Sequence, residues 1–399
     1  MKRIIPALFL FVLPLSFAAE NSSRLSAEVL WQLQRVGQPM VSPDGGQVVV
    51  PVTTYPEDGG DANSRLWLLG VNGDAVQRPL TAEEGSASGP VFSPDGSQLA
   101  FVRKVNKEDA PQIYKMPMRG PGEAVKLTDV PTGVSAIKWV GDHIYFISNV
   151  WPEMSFDEMK EKIEADKESK LSAKVWNEMP YSHWDSWIAE DRQNHLYRVH
   201  ETGGDVEALT LPMGIQLSRA DVDASDYDVS PNGELLAFVA DGGEGGVYAD
   251  EDVFVSQIGS GEAKNITEDN SAPDDRPMFS PDGRVLAFSR QHIEGFYADQ
   301  VKLIIHETRS GKTRTVHGDW DRSAEGLAWA PDSKGLYGAI DDEGTRRVYY
   351  LPLNGDAPSA ITGKTDYGQL SVARNGTLIA QNQSAVYPAR VVSIDTDRG

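Results

Sequence analysis

The chain has no cysteine among its 399 residues. That excludes disulfide staples, thiol nucleophiles and thiolate metal sites. It also excludes a lipid anchor on a cysteine at a cleavage point. Histidine is scarce. The seven stand at 143, 183, 195, 200, 292, 306 and 317, and none has the His-x-x-x-His or His-Glu-x-x-His spacing of a zinc site. No Gly-x-Ser-x-Gly elbow is present; Gly85-Ser-Ala-Ser-Gly89 has the glycines but puts Ala87 at the nucleophile position. There is no Gly-x-Gly-x-x-Gly and no phosphate loop. Positive charge is in deficit: 37 basic against 59 acidic residues give −22. Phosphate backbones need a basic footprint, so nucleic acid is not an expected partner. The acidic runs Asp250-Glu-Asp252 and Asp341-Asp-Glu343 read as solvated loops. Asp221-Val-Asp-Ala-Ser225 opens like a calcium loop, but has Asp226 and Asn232 where Gly and Glu are needed. No metal and no cofactor is expected. Beyond residue 15 no apolar run approaches the 18 residues of a membrane span.

What is present is a repeated turn. Phe92-Ser-Pro-Asp-Gly96 leads into the strand Gln98-Leu-Ala-Phe101. Val41-Ser-Pro-Asp-Gly45, Val229-Ser-Pro-Asn-Gly233 and Phe279-Ser-Pro-Asp-Gly283 repeat it. Trp329-Ala-Pro-Asp-Ser333 and Val372-Ala-Arg-Asn-Gly376 are worn copies, and Gly141-Asp142 is the most worn. Pro43 and Pro94 are 51 apart; Pro231, Pro281 and Pro331 are 50 apart. Proline presets the backbone at the second turn position. Asp44, Asp95, Asn232, Asp282 and Asp332 can bond the local backbone, and Gly45, Gly96, Gly233 and Gly283 tolerate a left-handed conformation. Each copy predicts a hairpin. A second hairpin follows, closing near Leu-Thr, as in Leu66-Trp-Leu-Leu69 to Pro79-Leu-Thr81. Two hairpins per period make a four-stranded propeller blade. The seven turns predict an all-β, seven-bladed propeller.

Residues 1–18 read as a signal peptide: a basic start, an apolar run from Ile4 to Leu15, and Ser16-Phe17-Ala18 before the cleavage point. A periplasmic or secreted location is expected. Residues 19–37 are expected to be an N-terminal helix and linker, the helix running from Ser23 to Val36 with Ser26 as its cap. The propeller is expected over 38–399. Blade 3 is interrupted by an insert, 150–194, which explains the 90-residue gap between Gly141 and Pro231. Its first half predicts a helix with a Ser155–Glu158 capping box and a Phe156, Met159, Ile163 stripe. Its second half is aromatic. Trp176, Tyr181, His183, Trp184 and Trp187 form a candidate interaction surface, against the alternative that they cover blade 3. Blade 7 is expected to end one strand short, its outer edge bare or covered by the segment around Asn21–Leu30.

These residues resemble the N-terminal propeller of the prolyl oligopeptidase family of serine peptidases, in its dipeptidyl-peptidase V and acylaminoacyl-peptidase-like branch. The resemblance rests on Leu25–Arg35 leading into Val36–Gly45, on Pro180-Tyr-Ser-His-Trp-Asp185 with Asn194-His-Leu-Tyr197, and on Gly318-Asp-Trp-Asp-Arg322 before Leu327-Ala-Trp329. It implies a C-terminal hydrolase domain that carries the catalytic triad and a propeller that restricts substrates to peptides. No catalytic residue carries over, and a hydrolase domain is not expected within these residues. Glu83-Glu84 lack the pattern around the paired glutamates of the dipeptidyl-peptidase IV branch. The expectation is a non-catalytic, substrate-gating propeller, inactive alone, whose partner is a hydrolase domain or chain. The alternative is a stand-alone TolB-like periplasmic propeller that binds another protein. An enzyme with a site at the propeller axis is a third option.

Overall fold

The computed structural model describes residues 26–396, apart from 57–58, 72–76, 121, 170–172, 177–178, 189–190 and 243–249. The expected signal peptide lies outside the described residues. Seven antiparallel sheets follow one another along the chain as the blades of a propeller. Blade 2 is representative, with strands Ser86–Phe92, Gln98–Lys104, Gln112–Pro117 and Val125–Lys126 paired in that order.

Every repeat turn joins the first strand of its blade to the second. In blade 2 the Gly96 amide donates to the Ser93 carbonyl at 2.8 Å, with Gly96 at φ 70°. Ser93 Oγ donates to Asp95 Oδ1 at 2.6 Å and accepts from the Gln98 amide at 3.0 Å. The same bonds recur around Ser42, Ser230 and Ser280. The serine hydroxyl thus links the turn to the strand it starts. The side chains of Ser93 and Ser97 and the Ser97 amide hold the Asp95 carboxyl down at about 2. At the worn sixth copy Ser333 takes the left-handed place of the glycine, at φ 60°.

The second strands are the most buried, because each has a blade on both faces: Leu99, Ala100 and Phe101 are fully enclosed. The core therefore lies between blades. Val49, Leu66 and Leu68 of blade 1 pack with Phe92, Leu99 and Phe101 of blade 2. The outer strands are short, and the expected Leu-Thr pair lies just past them. There it bonds the third strand. The amides of Leu66, Ile113, Leu196, Val253 and Val348 donate to Oγ1 of Thr81, Thr128, Thr210, Thr267 and Thr362 at 2.9–3.1 Å. The same five residues accept from the amides of Leu80, Leu127, Leu209, Ile266 and Ile361 at 2.7–3.0 Å.

Helix α1 covers Ala27–Gln32, capped by Ser26. It is shorter than the Ser23–Val36 span read from sequence. Arg35 and Val36 form a strand instead, paired with Thr53 and Val52. The Gln381 side chain donates to the carbonyls of Val36 and Gly37 at 2.7 and 2.6 Å, which favours extended chain there. With Met40–Val41, this segment is the broken first strand of blade 1.

Among the described residues, blade 7 has three strands, Asp366–Val372, Leu378–Ser384 and Tyr387–Ile394. No strand among the described residues is shared between blades 1 and 7. Side chains close the ring: Val41 and Val48 pack on Ala373 and Ile379, and the Val41 amide donates to Ser371 Oγ at 3.0 Å. Of the segment expected to cover the free edge, residues 21–25 lie outside the described residues. The rest sits beside blade 1, where Trp31 Nε1 donates to the Pro56 carbonyl at 2.9 Å.

Candidate functional site

Strand order gives the ring two unlike ends. One carries the repeat turns, whose polar groups bond within the turn or to the neighbouring blade's turn. The other carries α1, the insert and every loop between second and third strands. Exposed large apolar side chains gather at this second end. They are Val29, Leu30 and Trp31 of α1 and Tyr55 at blade 1, Val105 at blade 2, the insert of blade 3, Ile293, Phe296 and Tyr297 at blade 5, and Val386 at blade 7. Tyr297 is 95% exposed and Val386 89%. Among the described residues, only Val125 of an outer strand lies away from this end. Scattered exposed apolar residues are ordinary; their concentration on one face makes this end the candidate surface.

The insert is the largest part of that face. It leaves blade 3 after Val150 and returns at Gln193. Helix α2, Phe156–Glu168, starts with the expected capping box. Its stripe docks on the core between blades 2 and 3: Met159 is buried, and Phe156 and Ile163 pack beside it. Lys160 reaches Asp129 of blade 2 at 3.2 Å. A two-stranded hairpin follows, Ser182–His183 with Ser186–Trp187.

The structure brings the five candidate residues together there. Trp187 stacks against Trp176 at 5.0 Å and Tyr181 at 6.1 Å, and those two rings lie 6.4 Å from each other. Trp176 Nε1 donates to the Ile188 carbonyl at 2.7 Å, so Trp176 anchors the stack. Trp184 is at the tip, at φ 48° and 87% exposed. His183 Nε2 lies 2.9 Å from Asp221, which ties the hairpin to the connection between blades 3 and 4. Part of the cluster is therefore internal packing, while Trp184 and Trp187 remain exposed.

Acidic groups sit at the same end of blades 4 and 5. Burial pushes Asp226 up to about 7, with Asp223, Glu251 and Asp275 adding to the rise. Burial likewise pushes Asp275 and Asp274 up to about 6. Each holds its proton more tightly folded than unfolded, where a carboxyl titrates near about 4. Their stabilising contribution is complete below about pH 4 and is lost as pH rises through about 6–7. The turn carboxylates Asp44, Asp95 and Asp282 have lowered values and act below that window. The melting temperature is therefore expected to fall from about pH 5 to about pH 8, and Asp226→Asn to flatten the fall. Thermal melts at stepped pH check this; an unchanged slope in Asp226→Asn would remove Asp226 from the account.

A polar cleft of ≈ 1020 Å³ lies at this end between blades 6 and 7. Its charges pair with one another: Arg322 with Asp342 at 3.0 Å, Arg346 with Asp341 at 2.8 Å, and Lys364 with Glu343. The sequence reading missed both this cleft and the Ile293–Tyr297 loop. Their position between second and third strands was the available signal.

The histidines that bond hydroxyls bond threonines: His195–Thr210 at 3.0 Å, His200–Thr202 at 2.7 Å and His306–Thr313 at 3.0 Å. His195 is buried in blade 3, and burial lowers it to about 4. Among the described residues, no three His, Asp or Glu side chains converge as a metal site would need. Nor is any described helix long and apolar enough to cross a membrane. What this end presents is an aromatic and acidic surface.

No family model matches the sequence. A curated relative, dipeptidyl-peptidase 5 of Porphyromonas gingivalis, is 25% identical over 96% of this chain and 56% of its own length. The chain thus spans about half the length of the curated relatives it matches. Among solved structures, the acylaminoacyl peptidase of Pyrococcus horikoshii aligns with a TM-score of 0.68 at 15% identity, over 92% of this chain and 52% of that one. The β-propeller domain of the trilobed protease of Pyrococcus furiosus, described as having an open velcro topology, aligns with a TM-score of 0.62 at 12% identity, over 91% and 95%. These structures bear on the fold, and the curated relative bears on descent. The curated relative, with the propeller fold these structures share, supports the resemblance to the propeller part of prolyl-oligopeptidase-family peptidases.

Proposed function

We propose that this chain is the non-catalytic, substrate-gating propeller of a secreted prolyl-oligopeptidase-type serine peptidase acting on peptides, and that its apolar end is where the hydrolase part docks. The observation that carries this is the concentration of exposed Trp, Tyr, Phe and Val side chains at the end holding α1, the insert and the second-to-third-strand loops. An aromatic surface with a polar surround is the composition of an interface core. The relatives' greater length supports a hydrolase part as the occupant. Residues 1–18 supply the export signal in this reading. The hydrolase brings the nucleophile; the propeller covers it and limits what enters.

The test is binding of the chain to a hydrolase domain expressed from a dipeptidyl-peptidase 5 relative. The double variant Trp184→Ala, Trp187→Ala is expected to weaken binding by about 10-fold or more, as truncation of interface aromatics does. Its melting temperature should stay near wild type, since neither side chain is in the blade core. Unchanged binding by this variant and by Tyr297→Ala would move the interface elsewhere. In parallel, the purified chain is expected to leave dipeptidyl and acylaminoacyl reporters intact. Hydrolysis that co-purifies with it through successive columns would end the non-catalytic reading.

A further inference from the structure

The free edge of blade 7 repeats, unfilled, a bond pair that five other blades fill. In blades 1, 2, 3, 4 and 6 the capped residue of the third strand faces Pro51, Val102, Ile147, Val239 or Ala339 of the second. The counterpart in blade 7 is Val391, which faces Gln381. Its orientation follows from the ladder. Thr377 accepts from the Ala373 amide, so it turns its polar groups toward the first strand. Alternation turns those of Ile379 and Gln381 the same way. Val391, opposite Gln381, therefore turns its N–H and C=O outward. No strand pairs with that edge among the described residues.

The other blades define what fits there. Each fills the site with a branched aliphatic residue followed by threonine: the aliphatic amide donates to the exposed carbonyl, and the hydroxyl accepts from the amide. The sequence contains five Leu-Thr or Ile-Thr pairs, at 80–81, 127–128, 209–210, 266–267 and 361–362. All five are already in use, one per blade. A second copy of the chain has no spare pair to offer. Edge-to-edge pairing of two copies centred on Val391 would also bring the two Arg390 side chains together, a like-charge cost.

We propose that the outer edge of blade 7 is a β-strand docking site, completed by an extended polypeptide segment outside these 399 residues that carries a Leu-Thr or Ile-Thr pair and caps Val391. Main-chain bonds along the edge hold the segment, and the threonine hydroxyl sets its register. The site lies on the rim of the ring and does not depend on the identity of whatever occupies the apolar end.

Hydrogen exchange on the whole chain tests this, with a synthetic peptide copying residues 356–362 as the probe. In the chain alone, the Val391 amide is expected to exchange much faster than the capped Val348 amide. Saturating peptide is expected to slow Val391 by about 10-fold or more, since exchange then requires release of the strand. A peptide with Thr362→Ala should protect it less. Val391→Pro removes the outward N–H without removing a ladder bond, which an edge strand tolerates. That variant should fold and fail to bind. Three results would overturn the proposal. One is a Val391 amide as slow as Val348 in the dilute chain alone, which means the chain covers its own edge. Another is slowing that appears only at high protein concentration, which points to a second copy. The last is no response to saturating peptide.

Discussion

Tyr227→Ala is expected to destabilise the chain by about 3–5 kcal/mol, in the range for removing a large buried aromatic ring. Tyr227 opens the first strand of blade 4 and is fully buried against blade 3. Its ring packs with Tyr145, Ile147, Leu196 and Phe238. Its hydroxyl lies 2.6 Å from the Ala136 carbonyl and 3.1 Å from the Tyr145 carbonyl. Lys138 of blade 3 donates to the Tyr227 carbonyl at 2.5 Å and sits 5.0 Å from the ring centroid. One side chain thus fills the space between two blades and satisfies the backbone of the neighbour. Tyr227→Phe separates the two effects. It keeps the packing but leaves a buried carbonyl short of a donor, at about 1–3 kcal/mol. Urea unfolding of both variants checks the order. A Phe variant as stable as wild type would assign the whole effect to the ring.

Arg290→Met is the second large effect, and it depends on pH. Asp274 is fully buried, and its Oδ1 accepts from Arg290 Nε at 2.7 Å. Asn270 Nδ2 donates to the other carboxyl oxygen at 2.9 Å, and Arg290 also reaches Asp269 at 3.1 Å. Removing the guanidinium leaves a buried carboxylate without its cation, which costs about 3–5 kcal/mol. Asp274 already stands at about 6, because burial outweighs the pull of Arg290. Without Arg290 its folded value rises further above the unfolded one. The variant therefore regains stability as pH falls and Asp274 takes up a proton. Urea midpoints should differ strongly at about pH 8 and much less at about pH 5. Equal deficits at both would show that the guanidinium acts through packing on Phe288, 5.8 Å away, and not through charge.

Much of this fold is legible in the turn. Ser-Pro-Asp-Gly encodes its own geometry locally, so its copies count the blades before any tertiary contact is considered. The capping box of α2 is local in the same way. Features that depend on a partner distant in the chain were not legible. Helix α1 stops at Gln32 because Arg35 and Val36 find a strand partner in blade 1 and a donor in Gln381. The hairpin Ser182–Trp187 has strands of two residues, too short to show alternation. The Leu-Thr pairs were visible as a pattern, but their task of capping the third strand needs the sheet. The Arg290–Asp274 pair spans 16 residues and carries no motif. The aromatic cluster was legible as residue types, and its partition into an anchored stack and an open tip was not.

Among the described residues the ring closes without a shared strand, and this sets an order of events. Core contacts elsewhere join blades adjacent in sequence, about 50 residues apart, or about 90 across the insert. The bonds across the seam join residues 330–345 positions apart. Loop-closure entropy scales with the logarithm of that separation, so the seam costs about 2 kcal/mol more to close than a neighbouring pair. Blades assemble outward along the chain and the seam closes last. On a ribosome adding roughly 5–20 residues per second, blade 1 waits about 15–70 s for blade 7 to be made. Through that interval Val41 and Val48 face water. The first blade made is thus the last to have that flank covered.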